Sequence, residues 1–165
     1  MKKLFLTMCL VIVAHTAFAQ TADNLIDQFK NEPKAEFVHI PRLMMAMGKI
    51  TPKSGIYDKD DPTGNDIIKK ISSMRMLDLG CCSPDTKQRF QSALGNLNTK
   101  GYEELVRVND NGEKTRILTK MKGETICELL ILNGGNDDCT IVEIKGKIRT
   151  SDLSKLINAQ GNYNF

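Results

Sequence analysis

The stretch "VRVNDNGEKTRIL", Val106 to Leu118, constrains the fold more than any other part of the chain. Asn111-Gly112 lies between two runs that alternate apolar and polar residues, and Asn-Gly is well suited to a two-residue hairpin turn with positive φ at both centres. That turn sets Val108 opposite Thr115, Val106 opposite Ile117 and Tyr102 opposite Met121 on one face. The other face carries Leu105 opposite Leu118, Arg107 opposite Arg116 and Glu103 opposite Lys120. Continuing the register through a two-residue turn at Lys122-Gly123 would set Ile117 against Glu128 and press a carboxylate into the core. A three-residue loop, Lys122-Gly123-Glu124, instead brings Cys127, Leu129 and Ile131 to the side of Ile117. The loop "NGGNDD" then places Leu129 opposite Val142 and Cys127 opposite Ile144. Four strands follow in neighbouring order, and Val106, Ile117, Leu129 and Val142 are expected to face one dry interior. A closing helix capped by Ser151 or Asp152 would bury Leu153, Leu156 and Ile157.

Upstream, Leu25, Ile26 and Phe29 recur at helical spacing behind the caps Thr21 and Asp23, and Pro33 blocks continuation. "AEFVHI" reads as a strand, and Pro41 opens a helix carrying Leu43, Met44 and Met47 as core filler. Lys49 to Gly64 reads as one long exposed loop; its Asp58, Asp60 and Asp61 lack the glycine that an EF-hand needs at the sixth position. Asn65 or Asp66 opens a short helix through Ile67, Ile68 and Ile71, followed by the strand "SMRMLDL". Ser83 caps a further helix with Pro84 at its first position and Phe90, Ala93, Leu94 and Leu97 on its buried stripe. These elements predict an α+β fold: a mainly antiparallel sheet with a C-terminal four-stranded meander, and helices packed on one face.

Residues 1–19 have the form of a secretory signal peptide: Lys2 and Lys3, an apolar run from Leu4 to Ala14, then small residues at Ala17 and Ala19. The run is shorter than the roughly 20 residues of a lasting membrane span, so cleavage between Ala19 and Gln20 is expected, with no membrane span afterwards. No cysteine follows that bond to accept a lipid. A single domain, 20–165, would remain as a soluble protein of the periplasm or the extracellular space. Losing Lys2 and Lys3 takes the formal charge from +3 to +1, and so even a balance gives nucleic acid no electrostatic footprint.

The chemistry-bearing residues assign no catalytic, cofactor or metal site. His39 would be the one imidazole of the processed chain, which excludes zinc sites built on several histidines and leaves a single residue for any Ser-His-Asp or Cys-His arrangement. Cys81 and Cys82 precede a helix amino terminus, where a thiol can become a thiolate, but they lack the C-x-x-C spacing of thioredoxin-like centres. The register turns Cys127 inward and Cys139 outward, which argues against a bond between them, while a bridge between Cys82 and Cys139 stays open. No phosphate-cradling glycine loop, dinucleotide fingerprint or G-x-S-x-G occurs.

On the outer sheet face, Leu105, Leu118, Leu130 and Ile141 lie among Arg107, Arg116 and other charged residues. Two readings follow. A helix, the first for example, covers the apolar part; or Leu105, Arg107, Arg116, Leu118, Leu130 and Ile141 form an interaction face for another envelope protein or a homodimer. In this register Glu128 would oppose Glu143.

"GYEELVRVNDNGEKTRI", "ELLIL" and "IVEIKGKIRTSDLSKL", together with the exported amino terminus, resemble the domain of unknown function 4252 family, small exported proteins of Bacteroidetes. The resemblance covers most of the processed chain and is strongest from Gly101 to Leu156. It implies an envelope location and carries over no catalytic residue; some members are lipoproteins, whose acceptor cysteine is missing here. The expected function is a non-catalytic exported module that binds another protein or itself. The alternatives are a small hydrolase or thiol enzyme using His39 or Cys81 and Cys82, and a small-ligand carrier.

Overall fold

A computed structural model of the chain describes residues 20–46, 62–110, 112–136 and 138–152. The signal segment lies outside these residues, as do Met47, Asp58, Asp60, Asp61, Leu153, Leu156 and Ile157. Helix α1 spans Ala22–Phe29, where Thr21 caps it by accepting a hydrogen bond from the Asn24 amide at 3.2 Å. Strand β1 (Glu36–Ile40) leads through Pro41 into α2 (Arg42–Ala46). Leu43 and Met44 of α2 are exposed, not the core filler expected of them. Helix α3 spans Pro62–Lys70, so Pro62 to Gly64 are helical and not part of a loop, and Ile71 opens β2 (Ile71–Asp78). Helix α4 (Pro84–Gly95) starts as its sequence dictates. Ser83 Oγ accepts from the Thr86 amide at 3.2 Å, Pro84 needs no amide partner, and Asp85 lies at the positive end of the dipole.

The remaining strands are β3 (Glu103–Asp110), β4 (Glu113–Lys122), β5 (Thr125–Gly134) and β6 (Cys139–Arg149). All pairings are antiparallel and the order is β1-β2-β6-β5-β4-β3. The fold is α+β, with the C-terminal meander anticipated from the hairpin. Helix α4 carries the chain from β2 to β3 at the far edge, and the meander winds back until β6 lies against β2.

The register of the first hairpin holds for Val108 with Thr115, Arg107 with Arg116 and Val106 with Ile117. A bulge at Leu105 then brings Glu104 opposite Leu118 and Glu103 opposite Thr119, in place of Leu105 with Leu118 and Glu103 with Lys120. The extra residue expected in the second loop is a bulge at Cys127 instead: Lys122 pairs with Thr125, and Ile117 meets Ile131. The third loop is four residues long, not six, because Asn133 and Gly134 pair with Thr140 and Cys139. This two-residue shift sets Leu129 against Ile144, Ile131 against Val142 and Glu128 against Lys145, removing the opposition of Glu128 and Glu143.

Val106, Ile117, Leu129 and Val142 do share one face. The face that α1 and α4 bury is the other one, which corrects the expected interior. Leu77, Leu118, Leu130, Leu132 and Ile141 pack there under Leu25, Ile26 and Phe29 of α1 and Phe90 of α4, and Phe29 meets Phe90 edge to face at 5.4 Å. The physical reason is that alternation groups residues by face but is blind to which face receives the helices when both are apolar. Cys139 is accordingly buried, not outward, while Cys127 is half-buried at its bulge.

An ion network closes one end of this interface. Glu143 is 2% exposed; it accepts from Arg75 Nε at 2.8 Å and lies 3.2 Å from Lys145 Nζ. Asp23, in the first turn of α1, pairs with both Arg75 and Lys145, so the helix is tied to β2 and β6. Burial pushes the Glu143 carboxyl up, against the pull of Arg75.

Candidate binding cleft

Toward β3, the helix-facing side of the sheet changes from leucine to arginine. Arg107 and Arg116 are directly opposed there, an arrangement that costs stability unless a carboxylate intervenes. Glu104 supplies it: Arg107 Nε donates to Oε1 at 2.5 Å and Arg107 Nη2 to Oε2 at 2.9 Å, while Arg116 Nε donates to Oε2 at 2.8 Å. Chiefly through the Arg107 hydrogen bond, the Glu104 carboxyl is held down at about 2. With Lys114, the two arginines line a cleft of about 280 Å³ whose other walls are Gln91, Leu94 and Gly95 of α4 and Leu132 and Gly134 of β5. Gly134 lets α4 come this close, since a β-carbon there would lie 3.1 Å from Leu94 Cδ1. Gln91 Nε2 locks the helix in place by donating to the Gly135 carbonyl at 2.6 Å.

The interaction face expected from sequence is therefore divided. Leu118, Leu130 and Ile141, at 1%, 1% and 0% exposure, belong to the core; α1 and α4 occupy the surface they were expected to offer. Arg107 and Arg116 line the cleft and Leu105 stays exposed at its bulge. Lys114 and Gln91 went unnoticed in the sequence. The register could have found Lys114, two residues before Arg116 on β4, whereas Gln91 reaches the cleft only through the placement of α4.

The sulfur and imidazole candidates are dispersed. Cys81, Cys82, Cys127 and Cys139 are free thiols. No Cys82–Cys139 bridge is formed: Cys82 Sγ donates to the Pro33 carbonyl at 3.3 Å and Cys139 Sγ to the Gly135 carbonyl at 3.2 Å. Burial, then the neighbouring Glu32, pushes the Cys82 thiol up, and burial does the same to Cys139. Exposed Cys81 and buried Cys82 line a separate cleft with Glu32, Lys34 and Arg89, and His39 is not among its residues. His39 is exposed on β1, beside Phe37 and opposite Arg75. Gln20, the expected first residue after cleavage, is held by its carbonyl, which accepts from the Asn98 amide at 2.9 Å.

Among the described residues, no cluster of three or more His, Cys, Asp or Glu side chains is placed to hold a metal, and no helix is long and apolar enough to cross a membrane. No curated protein and no solved structure matches the chain. A family model described as a domain of unknown function (DUF4252) matches residues 29–156, from the end of α1 through the whole sheet. On that match, the chain belongs to the domain of unknown function 4252 family.

Proposed function

We propose that this protein is a non-catalytic exported binding module that takes up an extended segment of another envelope protein as an added strand on β3. The observation that carries this reading is the state of that strand. β3 ends the sheet, all eight of its residues are exposed, and its apolar side chains Leu105, Val106 and Val108 are 49%, 39% and 48% exposed. Among the described residues no strand pairs with the outer side of β3, and an edge of this length presents amides and carbonyls as the template used in strand addition. The opposite edge, β1, has only five residues. The signal-like residues 1–19 support export. Among the described residues Cys82 is buried with its thiol raised and His39 does not line the Cys81–Cys82 cleft, which favours the binding reading over a hydrolase or thiol enzyme.

The test is site-resolved amide hydrogen exchange with a capped (Thr-Val)4 peptide as a neutral strand probe. Added protection confined to residues 105–110 is the expected result. Unchanged exchange of β3 at saturating peptide, or protection of β1 instead, overturns the reading.

A further inference from the structure

The surroundings of β3 say which segment it would select. Two guanidiniums and one ammonium, from Arg107, Arg116 and Lys114, converge on the cleft beside the strand. A single carboxylate, Glu104, serves both arginines, and Lys114 has no carboxylate partner among the described residues. Glu104 offsets the opposition of the two arginines but, with Lys114 counted, leaves a net excess of positive charge at the cleft. Leu94 and Leu132 add apolar surface to the same cleft. On the other face of the same strand, Val106 and Val108 stand exposed.

We propose that β3 accepts an acidic segment in which carboxylates alternate with apolar residues, the carboxylates entering the Arg107–Lys114–Arg116 cleft. This rests on the strand-addition reading above and adds the chemistry of the partner. The alternation follows from strand geometry. Residues of an incoming strand that lie level with Arg107 project to the helix side, and their neighbours project to the side of Val106 and Val108. The bonds that Arg107 makes to Glu104 are the paired donation a guanidinium offers any carboxylate. Glu104 is therefore an internal competitor, and an incoming carboxylate either displaces it or bonds Lys114 and the remaining guanidinium N–H groups.

The experiment titrates the full chain with capped, fluorescently labelled (Glu-Val)4 and (Gln-Val)4 at low salt, following β3 amide exchange in parallel. The expected result is binding of (Glu-Val)4 about tenfold or more tighter than (Gln-Val)4. The gap should narrow in the Arg107→Gln/Lys114→Gln variant and at raised ionic strength, and widen in Glu104→Gln. These residues lie at the surface or its margin, and a cooperative melting transition with an unchanged circular dichroism spectrum shows that each variant is folded. Equal affinity for the two peptides with β3 protected overturns the acidic selectivity and leaves strand addition standing. Failure of both peptides to protect β3 overturns strand addition itself. Concentration-dependent protection of β3 in the protein alone, with a doubling of solution mass, assigns the edge to a second copy and overturns the proposal.

Discussion

Leu130→Ala tests which face of the sheet is the core. Leu130 is 1% exposed and lies between Leu118 on β4 and Glu143 on β6. Removing three carbons forfeits about 2.4 kcal/mol of transfer free energy, at about 0.8 kcal/mol each. A cavity term adds to this, because the Phe29–Phe90 ring pair above collapses poorly into the gap, so the expected loss is about 3–4 kcal/mol. At about 2–4 °C per kcal/mol for a chain of this size, the melting temperature falls by roughly 6–16 °C. Val108→Ala, at a site 48% exposed, should shift stability by no more than about 0.5 kcal/mol. Urea and thermal unfolding followed by circular dichroism measure both. A loss below about 1 kcal/mol for Leu130→Ala, or an equal loss at Val108, would refute the assignment of the buried face.

Further outcomes follow from the charges and thiols. Arg75→Met leaves Glu143 buried with only Lys145 beside it and should cost about 3–5 kcal/mol, most of it recovered in Arg75→Met/Glu143→Leu; a denaturation double-mutant cycle reads this. The Glu104 carboxyl lies below its ordinary range, so its ion pairs persist above about pH 4.5 and are lost as the pH falls through about 2. A carboxyl NMR titration should show that low midpoint, moving upward in Arg116→Gln. Native alkylation followed by mass spectrometry should label exposed Cys81 first, and Cys82 and Cys139 only on unfolding; early labelling of Cys82 would contradict its burial.

Much of the local architecture is legible in the sequence because it is determined locally. The hairpin signal falls where Asp110 pairs with Glu113, Ser83-Pro84 starts α4, and the like-charge opposition of Arg107 and Arg116 follows from counting outward from that pair. The buried face is not local. β2 and β3 run in the same direction with three strands between them, so the side covered by α4 depends on the hand of that crossover, which favours one sense strongly but can be applied only once the strand order is known. Bulges at Leu105 and Cys127 each displace the count by a residue, and no turn residue announces them. The partnership of Arg75, Glu143 and Asp23 joins three elements far apart in sequence. The cleft was half legible: its arginines were singled out on the outer face, while Gln91 and Leu94 enter with the helix.

Nuclear Overhauser contacts between the Phe29 and Phe90 rings and the methyl groups of the sheet test the central placement most directly. Contacts to Leu118, Leu130, Leu132 and Ile141 are predicted, with the cleft between α4 and the arginines following from them. Contacts to Ile117, Leu129 and Val142 instead would turn the sheet over, carry Arg107 and Arg116 away from α4, and contradict the account.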